Sequence, residues 1–339
     1  MPRPSSSPDA PPLPRHLQLE VTSACNLSCA MCLVSYRPKV NRVDGAMPMD
    51  LFRRLVDGTP GLTRLTLQGL GEPLLQPHLL GMVAHAKERG IEVGFNTNAM
   101  LLTRHRAERL VALGLDWLHV SLDGASAETH EGIRAGADFD RVARNLQGLQ
   151  AARRAAGSDK PWVRVVFVAM RRNVAELPDL VRLLGGWGVD ELHVQDLSHD
   201  FADTDPAGGY AGIRAFARDQ SLEHVAPDEV ATVFAAAREQ GERSGVRLRL
   251  PTPAGRSPAR RPGEPGCSWP WEAAYVTSSG AVQPCCMVMG EDRVTMGSLA
   301  DTDLADIWTG EAYARFRTAL LTDDPPGVCA GCSLYRGTF

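Results

Sequence analysis

Cys25, Cys29 and Cys32 stand in the run EVTSACNLSCAMC with the spacing Cys-x3-Cys-x2-Cys. Three thiols on one short loop are soft ligands for iron or zinc. They are one fewer than a closed tetrahedral zinc site or a fully protein-ligated four-iron cluster needs. A group held by three thiolates keeps one coordination position open to a substrate or a cofactor. The other five cysteines, Cys267, Cys285, Cys286, Cys329 and Cys332, all follow residue 266. Two separated cysteines and the close pair CAGC make a four-thiolate set able to ligate a complete cluster or a ribbon-type zinc ion. One thiol is then spare, nominally Cys286, and either Cys285 or Cys286 can serve as the ligand. A free thiol beside such a site has a hydrogen to give.

The elements that must hold these residues follow an alternating strand and helix pattern from residue 16 to about 200. Candidate strands are HLQLEV (16–21), RLTLQG (64–69), EVGFNT (92–97), WLHVSL (117–122), VRVVFV (163–168) and ELHVQD (191–196). Such alternation predicts a parallel α/β sheet or barrel, and six units fit a partial (β/α)6 TIM-like barrel. Thr103 and Asp138 are placed to cap two of the intervening helices, with Gly114 and Gly157 after their ends. The cysteine loop leaves the C-terminal end of the first strand, the end at which parallel barrels carry their chemistry. Residues 16–250 are therefore read as the barrel. Within them the polar, Gly-rich stretch 199–226 is an insertion above its mouth, a lid or substrate-contacting loop. Residues 251–266 read as a linker into a small cysteine-bearing C-terminal domain, together spanning 251–339.

Polar residues collect at the strand tips. Gly69 and Gly71 in QGLGEPLL permit a tight turn, and Glu72 supplies an acceptor beside it. Asn96, Asn98, Ser121 and Asp123 follow the third and fourth strands. His193 and Gln195 alternate with Val194 and so share a face, which places His193 to touch substrate or shuttle a proton if that face is the barrel interior.

A net charge of −4, from 36 basic and 40 acidic residues, argues against nucleic acid or a membrane surface as partner. No apolar stretch approaches a membrane span. Residues 1–15, MPRPSSSPDAPPLPR, lack the apolar core of a signal peptide and read as a disordered leader. Eight cysteines without a secretion signal point to metal ligation in a reducing, cytoplasmic compartment.

The cysteine loop, the Gly71-Glu72-Pro73 turn and the stretch SLDGASAETHEGIRAGADFDRVARNL (121–146) resemble the radical S-adenosylmethionine (SAM) superfamily. The resemblance implies that Cys25, Cys29 and Cys32 hold a 4Fe-4S cluster whose open iron chelates SAM. One electron from the reduced cluster then cleaves SAM to a 5′-deoxyadenosyl radical that abstracts hydrogen from the substrate. It also implies that Gly71, Glu72, Asn96, Asn98, Ser121 and Asp123 surround SAM, with Arg134 pairing its carboxylate. The C-terminal segment is similar to the SPASM/twitch extension, in its shorter form with one auxiliary 4Fe-4S cluster held by Cys267, Cys285, Cys329 and Cys332. A flavodoxin- or ferredoxin-type protein is the implied reductant. The expected substrate is a small polar natural-product intermediate (sugar, aminocyclitol or nucleoside) that is dehydrogenated, decarboxylated or epimerised. The alternative is a ribosomally synthesised peptide or a protein side chain.

Overall fold

Apolar side chains alternate along every long strand, and that alternation builds the barrel wall. The structure, a computed structural model, describes residues 11–36, 45–251 and 266–337. Residues 1–10 of the expected leader and 252–265 of the expected linker lie outside the described residues. The wall consists of β1 (His16–Leu19), followed after a two-residue β2 (Ser28–Cys29) by β3 (Arg64–Thr66), β4 (Glu92–Thr97) and β5 (Trp117–Ser121). Beyond another two-residue strand, β6 (Arg134–Ala135), come β7 (Trp162–Val168), β8 (Glu191–Gln195) and β9 (Arg247–Arg249). Leu17, Leu19, Phe95, Leu118, Val165, Phe167, Leu192 and Val194 are fully buried in one core. Their strand neighbours therefore point to the opposite side, the barrel interior.

The helices behind the wall are α1 (Met49–Asp57), α2 (Leu79–Glu88), α3 (Arg104–Ala112), α4 (Ala127–Ile133), α5 (Phe139–Ala155) and α6 (Leu177–Trp187). Thr103 caps α3 by accepting from Arg106 N, and Asp138 caps α5 by accepting from Arg141 N. On α5, Val142, Leu146 and Leu149 are fully buried, as one helical face should be.

Strands β1, β3, β4, β5, β7, β8 and β9 pair in parallel and in chain order. The expected partial barrel is thus present, one strand longer than six because VRLRL adds β9. The C-terminal segment continues the same sheet: β10 (Ala273–Val276) pairs in parallel with β1. Next to it β11 (Ala281–Gln283) and β12 (Gly297–Ser298) run antiparallel. Among the described residues β9 and β10 are not paired with each other, so the barrel stays open on that side.

The stretch 199–226 departs from the expected irregular loop. It contains α7 (Ala211–Gln220), after which α8 (Pro227–Ser244) leads into β9. Only Ile213, Ala217 and Gln220 of α7 are buried, too thin an apolar stripe to give the sequence a clear period.

Candidate metal and cofactor site

The loop from Thr22 to Cys32 leaves the tip of β1 and is held on two sides. On one side β2 pairs with β6, setting Cys29 opposite Arg134. On the other, Asn98 Nδ2 donates to Asn26 Oδ1 at 3.0 Å and stands 4.0 Å from Cys25 Sγ. Cys29 is buried, whereas Cys25 and Cys32 are partly exposed. None of the eight cysteines is in a disulfide. Burial raises the pKa of all three loop thiols, that of Cys32 to about 12. In such surroundings the thiolate, the form that ligates metal, forms readily only with a cation to bind.

The Gly71-Glu72 turn lies directly under this loop. Glu72 N donates to Ala24 O at 2.8 Å. A side chain on Gly71 would collide with the carbonyl oxygens of Thr22 and Ala24. Gly71→Ala is therefore expected to cost about 3 kcal/mol by overpacking, and to lower both the melting temperature and SAM affinity. Calorimetry and SAM titration check this; an unchanged melting temperature would remove the close-approach explanation.

The Glu72 carboxylate is anchored within the protein. It is 2% exposed, and both oxygens are engaged: Oε1 accepts from Leu74 N (3.1 Å) and Thr97 Oγ1 (2.7 Å), Oε2 from Asn98 N (2.8 Å). It fixes the tip of β4. Asn98 is tied down locally as well, since its Oδ1 accepts from Met100 N at 3.0 Å. Asn96 and Ser121 remain partly exposed, and Asn96 Oδ1 has no partner among the described residues.

Asp123 and Arg134, expected at separate parts of SAM, meet each other. Arg134 Nε donates to Asp123 Oδ2 at 2.6 Å while its Nη1 reaches 3.7 Å from Cys29 Sγ. Asp123 is fully buried, and its other oxygen accepts from Val168 N at 2.8 Å. Burial pushes its carboxyl up while the Arg134 charge pulls it down. Asn173, also fully buried, donates to Asp123 O (3.0 Å) and Val168 O (2.9 Å), holding this tip from behind. Nothing in the motif pattern marks Asn173. Its only signal is a polar residue just after an apolar strand.

The barrel interior is polar. Asn96, His119, Arg164, Glu191 and Arg247 stand in register across five strands. Arg164 Nε pairs with Glu191 at 2.7 Å. One level higher His193 lies opposite Arg249, on the interior face as the alternation requires. Burial, reinforced by Arg249 and Arg164, lowers the His193 pKa to about 4. Burial and Arg164 lower that of His119 to about 3. Both are neutral near pH 7, hydrogen-bonding groups and not cations.

The C-terminal cysteines stand within electrostatic range of one another. Burial, then Cys286, Cys267, Cys332 and Cys329, raises the pKa of Cys285 well above the usual thiol range. Burial, then Cys332 and Cys267, raises that of Cys286 to about 12. The 199–213 stretch runs along the segments that carry these cysteines. His199 Nδ1 accepts from Phe201 N at 2.8 Å, which puts the ring proton on Nε2 for Val328 O at 2.7 Å. Arg293 chelates the Asp203 carboxylate at 2.7 and 2.8 Å, and Tyr210 donates to Asp292 at 2.7 Å. Phe201, Tyr210 and Ile213 also pack with Leu33, the residue after Cys32.

The donor sets fit iron–sulfur groups. Each is all-thiol, and the N-terminal one has an amide and a guanidinium aimed at its sulfurs, the outer contacts that electron-rich cluster ligands take. Among the described residues no three His, Cys, Asp or Glu side chains stand close enough together to hold a metal ion. No described helix is long and apolar enough to cross a membrane.

A profile of the radical SAM superfamily matches residues 19–192, and one of an iron–sulfur cluster-binding domain, SPASM, matches 267–333. The chain is 28% identical to the tungsten-containing aldehyde ferredoxin oxidoreductase cofactor-modifying protein of Pyrococcus furiosus, over 94% of this chain and 87% of that one. It is 30% identical to PqqA peptide cyclase of Xanthomonas campestris, over 95% of this chain and 80% of that one. Among solved structures it resembles SuiB of Streptococcus suis bound to SAM, with a TM-score of 0.70 and 16% identity, covering 96% of this chain and 72% of SuiB.

Proposed function

Since the chain belongs to the radical SAM superfamily and its cofactors are SAM and iron–sulfur clusters, we propose that this enzyme is a maturase acting on a ribosomally made peptide or a protein side chain. The observation that carries the reading is the 30% identity to a peptide cyclase along 95% of the chain. A small sugar, aminocyclitol or nucleoside, the other expectation, has no comparable support among these relatives.

Cys25, Cys29 and Cys32 hold the SAM-binding cluster, and Cys267, Cys285, Cys329 and Cys332 the auxiliary one. Cys285 and Cys286 are adjacent, and the iron content of their single alanine variants decides which of the two is the ligand. When loaded, the N-terminal site supplies one-electron cleavage of SAM to a hydrogen-abstracting radical. The chain's own residues do the rest by position. Arg134 stands beside Cys29 with its charge anchored on Asp123, leaving one face for the SAM carboxylate. Asn96 Oδ1 and Ser121 offer hydrogen-bonding groups at the strand tips. Neutral His119 and His193 line the interior, where they hydrogen-bond polar groups without adding charge. Cys286 is the thiol left over to return a hydrogen atom, and His193 the group able to pass a proton.

Anaerobically reconstituted protein, SAM, a reductant and synthetic peptides encoded near its gene provide the test. The expected result is 5′-deoxyadenosine together with a mass change on one peptide, such as the loss of two hydrogens. Deoxyadenosine formed with small polar compounds but never with a peptide overturns the substrate reading and leaves the superfamily membership standing.

A further inference from the structure

An electron has to reach the N-terminal site from outside, and among the described residues one side of the cysteine loop is exposed. Cys29 is covered by Arg134 and β6, and Leu33 by Phe201, Tyr210 and Ile213 of the 199–213 stretch. Asn26 and Ser28 are exposed. They adjoin the N-terminal ends of α3 and α5. Asn26 is bonded to Asn98 (3.0 Å), and Asn145 of α5 donates to Ala99 O at 2.7 Å in the same β4–α3 loop. Ser28 pairs with Ala135, four residues before α5 begins.

This helix pair is strongly basic. Together α3 and α5 carry seven arginines against Glu108 and Asp140, in a chain whose net charge is −4. Arg104, Arg109, Arg141, Arg144 and Arg154 are exposed. Among the described residues Arg141 and Arg144 have no ion-pair partner, and Arg104 is engaged only by Glu108 at 2.8 Å on its own helix. Between the helices runs an open groove lined by Val111, Gly148, Ala151 and Ala155, with the Arg104–Glu108 pair also in its lining. An apolar strip on a helix pair that also carries the exposed, unpaired Arg141 and Arg144, next to the exposed side of a redox loop, suits an acidic electron-carrier protein.

We infer that the α3–α5 face, with Asn26 and Ser28 at its upper end, is the docking surface for an acidic, low-potential one-electron donor protein. In the step it serves, the donor is oxidised by one electron and the N-terminal cluster is reduced by one. No proton or covalent bond is exchanged. The inference rests on the cluster assignment at Cys25, Cys29 and Cys32 and is independent of the substrate.

The test compares two reductants on the reconstituted holoenzyme: a flavodoxin in its hydroquinone form, and dithionite. The triple variant Arg104→Glu, Arg141→Glu, Arg144→Glu is expected to slow cluster reduction by flavodoxin at low salt roughly 10-fold or more, by stopped-flow absorbance. Its binding of oxidised flavodoxin, followed by fluorescence, weakens in parallel. Reduction by dithionite and the iron content stay as in the parent. In the parent the flavodoxin rate falls as salt rises through the range where the screening length shortens from about 30 to 3 Å, and in the variant it does not. Equal slowing with both reductants, or an unchanged flavodoxin rate, overturns the inference. So does weakened binding of a substrate peptide with flavodoxin reduction intact, which would give the face to that peptide.

Discussion

Replacing Cys25, Cys29 and Cys32 together with alanine is expected to abolish 5′-deoxyadenosine formation while the C-terminal site still loads. Iron should fall from roughly eight to roughly four per protein, because each four-iron group depends on its own thiolate set. The two sets share no residue. The N-terminal thiols sit on a loop tied to β4 and β6, the C-terminal ones on segments tied to β10, β11 and the 199–203 stretch. Loss of the first set therefore leaves the framework of the second intact. Single replacements separate the adjacent pair: Cys285→Ala should lose about four irons, and Cys286→Ala should retain all eight or so. Retained iron with Cys286→Ala but a substrate radical left unquenched would assign the spare thiol as hydrogen donor. Retained deoxyadenosine formation in the triple variant would remove Cys25, Cys29 and Cys32 from the chemistry altogether.

The strands were legible because two signals agreed on each. In EVGFNT the alternation and the flanking turn residues coincide, and β4 runs over those six residues without a shift. The caps Thr103 and Asp138 were legible for the same reason, a short polar acceptor just before an apolar period. What escaped was tertiary. Asp123 and Arg134 lie on either side of α4, and no local pattern says that the chain folds back to join them. Glu72 reads as an acceptor because it follows a Gly-rich turn at a strand tip. No local pattern shows that its carboxylate also takes up the β4 backbone, which sits within reach only once β3 and β4 pair. The 199–226 stretch looked like a loop over the mouth because its contacts, Val328, Asp292 and Leu33, are far away in sequence. Residues that hold the site in shape are thus less visible in a sequence than residues that touch ligands at short spacing.

Arg134→Lys is expected to fail nearly as badly as Arg134→Ala, although it keeps the charge. The guanidinium does two things at once: its Nε meets Asp123 at 2.6 Å, and its Nη1 stands 3.7 Å from Cys29 Sγ. An ammonium is a single point at the end of a flexible chain and cannot occupy both places. Arg134→Ala leaves the fully buried Asp123 with only Val168 N as partner, and a buried carboxylate stripped of its counter-charge costs about 3–5 kcal/mol. Asp123→Leu paired with Arg134→Leu should recover part of that loss, since neither charge is then stranded. A double-mutant cycle on the unfolding free energy should accordingly show coupling of about 2 kcal/mol or more. The cycle separates the structural role from the one at the cofactor. The double variant should regain stability, yet SAM affinity measured by titration should stay low, because no guanidinium remains beside Cys29. Recovery of SAM binding together with stability would mean that Arg134 serves the fold alone, and its assignment to the SAM carboxylate would fall.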